Sequence, residues 1–268
     1  MKIFRRFVPM SIVAVTILNS CNSVPITGRR QLSLFPASEI QASSFQQYKQ
    51  VLNESQLSRD AEKTQLIKKV GSRIQMAVED YLRANNNASI IEGFQWEFNL
   101  IESDQVNAWC MPGGKVAFYT GILPVCQDEA GIAVVMGHEV AHAIAGHGGE
   151  RMSQQALAQA GQVGLSLATM NESPEMQSIY MTAFGMGAQY GALLPFSRKH
   201  ESEADEMGLV FMAMAGYDPQ QAPLFWQRMS GMGGQKPPEF TSTHPSDDRR
   251  IADLNRQMSK ALKYYKPQ

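Results

Sequence analysis

Gly131-Ile-Ala-Val-Val-Met-Gly-His-Glu-Val-Ala-His-Ala-Ile-Ala-Gly146 reads as one apolar helix carrying an H-E-x-x-H motif, His138-Glu139-Val140-Ala141-His142. Residues i and i+4 of an α-helix lie on one face, a turn apart. Both imidazoles can therefore reach a single tetrahedral zinc at about 2.0–2.1 Å. Glu139 follows the first histidine directly. It is placed to contact a water on such a metal rather than the metal, which is where a general base is needed.

Two histidines do not complete a catalytic zinc site; a third protein ligand is expected, with water fourth. The candidates are His147, His200, Glu201, Glu203, Asp205 and His244. His147 gives H-E-x-x-H-x-x-x-x-H, one residue short of the metzincin spacing and without its glycine, and reads as a polar helix-end residue. Arg198-Lys-His-Glu-Ser-Glu-Ala-Asp205 is better placed. Glu201 and Asp205 are i, i+4 and share a helix face. One carboxylate can ligate while the other accepts an N–H bond from a ligand histidine and fixes its tautomer. Glu203 points elsewhere. The competing explanation is a solvated acidic helix start, which the helix dipole favours.

Around these motifs the pattern predicts an α+β fold, mostly helical, with a small sheet beside the H-E-x-x-H helix. Phe94 to Ile101 alternates apolar and polar residues as a strand does. Val106 to Met111 and Lys115 to Thr120 are two more strands joined by a turn at Pro112-Gly113-Gly114. Helical spacing predicts helices over 39–52, capped by Ser38, and over 59–83. Two more are expected within 149–194, broken near Asn171-Glu172-Ser173-Pro174, where Met170, Met176, Met181 and Met186 read as adaptable core. Helices over 199–215, over 219–230 with Asp218 as cap, and over 246–264 complete the pattern.

The chain of 268 residues is 44% hydrophobic and 18% charged, enough apolar content for a core. Its net charge of −1 argues against a nucleic-acid partner. The first twenty residues are a separate object. Lys2, Arg5 and Arg6 precede an apolar run, Phe7 to Leu18, of signal-peptide length. Leu18-Asn19-Ser20-Cys21 resembles a bacterial lipoprotein box, with Cys21 the residue lipidated. Loss of residues 1–20 removes those three cations and leaves 21 basic against 25 acidic residues. Residues 21–37, with Pro25, Gly28 and Pro36, read as an extended lipidated tether. Asn22 after the lipidated position favours the outer membrane. Export would allow a Cys110–Cys126 disulfide; the alternative is two small buried apolar residues.

Taken together, Gly137 to His142 and Ser197 to Asp205 resemble the zinc metallopeptidases of the HtpX and CAAX prenyl protease type. Val106 to Val116 with Tyr119 to Leu123, and Thr243-His-Pro-Ser246 with Arg249-Arg250-Ile251, are similar to further motifs of that family. The leader and Pro25-Ile-Thr-Gly-Arg-Arg-Gln-Leu-Ser33 point to its periplasmic lipoprotein branch. The resemblance implies one zinc metallopeptidase domain over residues 38–268. It makes His138, His142 and Glu201 the zinc ligands, Glu139 the base and Asp205 the carboxylate behind the ligands. It also places His244 near the scissile carbonyl and makes Arg250 a candidate orienting residue. Asn107 and strand 115–120, with Val116 and Phe118, would lie where substrate backbone adds to a sheet edge. The implied activity is a membrane-anchored periplasmic zinc endopeptidase in envelope protein quality control. Its partners would be protein or peptide substrates, outer-membrane proteins among them, and a membrane met through the lipid anchor. The rival reading is a lipoprotein chaperone or assembly factor for outer-membrane proteins with little proteolysis.

Overall fold

The computed structural model describes residues 21–232 and 247–267. The core is organised around a helix that is apolar on every side. A helix of that kind can be stable only when it is wrapped by others. Helix α4, Glu129–Ile144, is capped by Asp128, whose side chain accepts from the Gly131 N–H at 2.8 Å. It buries Ile132 to His138, Val140, Ala141 and Ile144.

Against it pack α2 (Ala61–Ala84) and α7 (Leu194–Met214), with α8 (Gln221–Gly231) and α9 (Asp247–Ala261) closing the far side. Helix α2 presents Ile67, Val70, Ile74, Val78 and Leu82, a stripe at spacings of three and four. It starts where Asp60 accepts from the Lys63 N–H. Helix α1, Ala37–Glu54, begins after Pro36 and has no side-chain cap, so Ser38 does not serve as one. Asp218 belongs to a turn, accepting from the Gln220 N–H, and α8 starts only at Gln221.

The sheet has three strands: β3 (Glu97–Ile101), β4 (Ala108–Met111) and β5 (Lys115–Tyr119). Their order is β3-β5-β4. Strand β5 runs parallel to β3 and antiparallel to β4. The β4–β5 turn needs φ of +89° at Gly113 and +83° at Gly114, which glycine alone adopts without strain. Leu123–Cys126 forms a short helix, α3, leading into α4.

Two expectations are corrected here, and one left open is decided. Residues 21–37 are not a free extended tether. Strands β1 (Cys21–Ser23) and β2 (Arg30–Leu32) form an antiparallel hairpin whose Val24 and Pro25 are buried against the domain. Helices α5 (His147–Ala168) and α6 (Pro174–Ala188) break where expected, but the methionines here are not core: Met170, between the two helices, and Met186, on α6, are 67% and 55% exposed. Helix α6 runs through one wide turn, Gln189–Leu193, straight into α7, which therefore starts five residues before 199. Lastly, Cys110 and Cys126 are free thiols rather than a disulfide. Cys126 is sealed in the core at the end of α3, while Cys110 sits on β4. Among the described residues no helix is long and apolar enough to cross a membrane.

Candidate metal centre

Helices α4 and α7 touch backbone to backbone at Gly137 and Gly208. A Cβ on Gly208 would stand 2.8 Å from the His138 nitrogen, and one on Gly137 would stand 2.7 Å from the Gly208 carbonyl oxygen. Only glycines permit this approach. Within two turns along each helix, it brings His138 and His142 of α4 against Glu201 and Asp205 of α7.

The donor atoms form a small triangle. His138 Nε2 lies 3.1 Å from His142 Nε2, His142 Nε2 lies 3.3 Å from Glu201 Oε1, and His138 Nε2 lies 3.6 Å from Glu201 Oε2. Two ligands at about 2.0–2.1 Å from a tetrahedral zinc stand about 3.3 Å apart. The set His138, His142 and Glu201 therefore fits one zinc in both spacing and chemistry.

Behind the triangle, Asp205 Oδ1 accepts from His138 Nδ1 at 2.9 Å, which leaves the Nε2 lone pair facing the donors. Arg250 of α9 donates to Asp205 Oδ2 at 2.6 Å and to Glu201 Oε2 at 3.0 Å. Its guanidinium lies 3.7 Å over the Trp226 ring of α8. Arg250 is buried, and through these two bonds it orients both carboxylates.

The electrostatics follow this packing. Without a metal, burial alone would lower the His138 pKa, but hydrogen bonds to Asp205 and Glu201 outweigh it and push it up to about 10, so a metal ion binding at Nε2 would displace the proton held there. His142 goes the other way: burial and the neighbouring His138 charge lower it to about 4, so it is neutral at pH 7. Burial would raise Asp205, yet the charge of Arg250 and the bond from His138 hold it below the usual range. Burial lifts Glu139 to about 7, against the opposing pull of His138. A carboxylate poised there can both take and return a proton near neutral pH. The Cys110 backbone of β4 faces it and opposes the rise weakly.

Strand β5 is the centre of the sheet, so it offers no free edge. Val116 and Phe118 are completely buried core residues, which corrects their expected place as substrate contacts. The free edge beside α4 belongs to β4. The Tyr119 N–H donates to the Asn107 carbonyl, so in this antiparallel ladder the Ala108 and Cys110 amides and carbonyls point away from β5. Asn107 is exposed at the entry to that edge. His244 lies outside the described residues, as does the whole of its Thr243–Ser246 motif. His147, expected as a polar helix end, is instead fully buried, with Nδ1 2.8 Å from His142 Nδ1. Glu203, also buried, points away from the triangle as expected.

A helix bearing two histidines, a facing helix bearing a carboxylate ligand and its partner, and a sheet edge alongside define a zincin-type metallopeptidase scaffold. The chain belongs to peptidase family M48, whose model matches residues 69–258. It is similar to the mitochondrial metalloendopeptidase OMA1 of Schizosaccharomyces pombe, 38% identical over 169 residues, covering 62% of this chain and 48% of that protein. The human OMA1 metalloendopeptidase is 29% identical over 251 residues, covering 89% of this chain and 46% of that protein. The beta-barrel assembly-enhancing protease of Escherichia coli is 30% identical over 164 residues, covering 59% of this chain and 33% of that protein. The chain thus spans about half the length of the OMA1 proteins and a third of the assembly-enhancing protease.

Proposed function

We propose that the chain is a zinc-dependent endopeptidase in which His138, His142 and Glu201 hold the metal and Glu139 is the general base. The observation that carries this reading is the triangle of donor atoms at 3.1, 3.3 and 3.6 Å with Glu139 next to it. Zinc, when bound, supplies Lewis-acid polarisation of a peptide carbonyl and makes water more acidic. The side chains do the rest. Asp205 and Arg250 hold His138 and Glu201 in their orientations. Glu139 takes the proton of the attacking water and passes it to the leaving amine, and its burial, which raises its pKa, favours holding that proton between the two steps. The backbone groups of Ala108 and Cys110 that point away from β5 are suited to take an extended peptide backbone as an added strand. His244 would be a donor to the developing oxyanion.

The substrates we infer are extended or misfolded proteins of a bacterial envelope, with outer-membrane β-barrels a natural class given the similarity to the assembly-enhancing protease. Cys21 and the leader before it support a lipid-anchored periplasmic location in the lipoprotein branch of the family, at the outer membrane by its sorting residue. The test is Glu139→Gln. The variant should retain one zinc per chain and lose about 10²- to 10⁴-fold in peptidase activity. A variant that keeps full activity removes Glu139 from this role; wild-type protein that holds no zinc removes the whole reading.

A further inference from the structure

His138 has the usual arrangement for a metal-binding histidine: its rear nitrogen bonds a carboxylate. His142 does not. The partner of its rear nitrogen is another imidazole, His147, the first residue of α5. His147 in turn places Nε2 3.0 Å from Glu203 Oε2. Glu203 is itself fixed twice by the N-terminal hairpin, through the Thr27 hydroxyl and through Arg29 Nε at 2.7 Å. The other end of the Arg29 guanidinium grips Glu150 at 2.9 and 2.7 Å, and Glu150 accepts from His200, whose ring stacks on His147 at 4.3 Å. Every member except Thr27 and Arg29 is almost fully buried.

Proton counting leaves one consistent assignment. If His142 turns its Nε2 lone pair to a metal and stays neutral, its proton is on Nδ1. That proton must be accepted by His147 Nδ1, which therefore carries none. The His147 proton is then on Nε2, and it needs an acceptor there; the Glu203 carboxylate is one. A protonated Glu203, or a His147 with its proton on Nδ1, would set two donors face to face. Arg29 and Thr27 favour the ionised carboxylate.

We propose that Glu203 and His147 are positioning residues that fix the tautomer and ring orientation of His142, with the Thr27–Arg29 turn as their anchor. The inference rests on the reading of His142 as a zinc ligand. Metal binding is thereby tied to the seating of the N-terminal hairpin, more than a hundred residues away in sequence from the motif it supports.

The test uses the full chain loaded with zinc or with cobalt. Long-range proton–nitrogen spectra of the histidine rings in the zinc-loaded wild type should show His142 protonated at Nδ1 and His147 at Nε2. His147→Leu should weaken zinc binding by about 10- to 100-fold, the range typical of partners that orient a metal ligand. It should also shift the visible bands of the cobalt-loaded protein. His147→Asn restores an acceptor near the Nδ1 position and should recover part of the affinity. His200→Leu removes the stacked neighbour and its bond to Glu150 but leaves the His142–His147–Glu203 bonds in place; it should lower the melting temperature while metal affinity stays near wild type. A purely structural role predicts falls in melting temperature alone for all three. The proposal is overturned if His147→Leu binds zinc like the wild type, or if the spectra put the His147 proton on Nδ1. The spectra need no variant, so a misfolded His147→Leu does not shelter the idea. Zinc-free wild type would overturn the ligand reading, and this inference with it; normal zinc binding with the wrong tautomer overturns this inference alone.

Discussion

Gly208→Ala would add one methyl group where the two ligand-bearing helices meet. Its Cβ would lie 2.8 Å from the His138 nitrogen, 2.9 Å from the Gly137 carbonyl carbon and 3.0 Å from the His138 Cα. Favourable carbon contacts start at about 3.5 Å. All three opposing atoms are backbone, so no rotamer change relieves the clash, and α4 and α7 must part by about half an ångström. That gap opens between the donors, because His138 and His142 sit on one helix and Glu201 and Asp205 on the other. Sites of this kind tolerate about 0.5 Å of displacement. We therefore expect zinc affinity to fall by at least about 10-fold, comparable to the loss of an orienting partner. Stability should change less. Overpacking costs about 1–3 kcal/mol, and replacing glycine inside a helix returns about 1 kcal/mol. The net is at most about 2 kcal/mol, or up to about 8 °C in Tm for a chain of this size. Competition against a chromophoric chelator reads the first quantity and a thermal melt of metal-free protein the second. Gly164→Ala in α5 is the control: nothing lies within 4 Å of its Cβ, so zinc affinity should not move and Tm should rise slightly. Wild-type zinc affinity in Gly208→Ala would refute the claim that the glycine crossing sets the spacing of the donors.

Three further outcomes are expected. His244→Ala should keep its zinc and lose about 10²- to 10³-fold in kcat, as removal of an oxyanion donor does; loss of zinc instead would make His244 a ligand. Glu150 and Glu203 are both held down to about 2, burial notwithstanding, by their bonded histidines and by Arg29. Their folded pKa values lie below the unfolded ones, so their stabilisation is present above about pH 4.5 and is lost as pH falls towards 2. Urea midpoints of chelator-treated protein should drop steeply over that window and less steeply in Glu150→Gln; equal slopes would contradict the assignment. Cys21→Ser should abolish lipid labelling and membrane fractionation, and unchanged fractionation would exclude the anchor.

Much of the centre was readable because it depends on local periodicity. His138 with His142, and Glu201 with Asp205, are each four apart on a helix, and that spacing alone sets them on one face. The order of the strands was not readable. The parallel pairing of β3 with β5 leaves β4 at the edge, and nothing in the alternation of Lys115 to Thr120 distinguishes a central strand from a marginal one. The exposed methionines of α5 and α6 were misread because apolar composition implies burial only where another element arrives to cover it. The cluster of Arg29, His147, Glu150, His200 and Glu203 escaped for a related reason. Its members come from three distant segments, and no spacing in the chain announces that they meet. The one available signal was that four of the five histidines fall within residues 138–200.

If the edge of β4 takes substrate as proposed, a consequence for selectivity follows. An edge of four residues addresses amides and carbonyls, which every polypeptide carries, rather than particular side chains. A helix has already spent those groups on itself, and the inner strands of a closed barrel have spent them on their neighbours. Only chain that is straight and unpaired can lie along Ala108 to Met111. Such an edge discriminates by conformation before it discriminates by sequence: a finished protein is invisible to it, and the same protein before assembly is not.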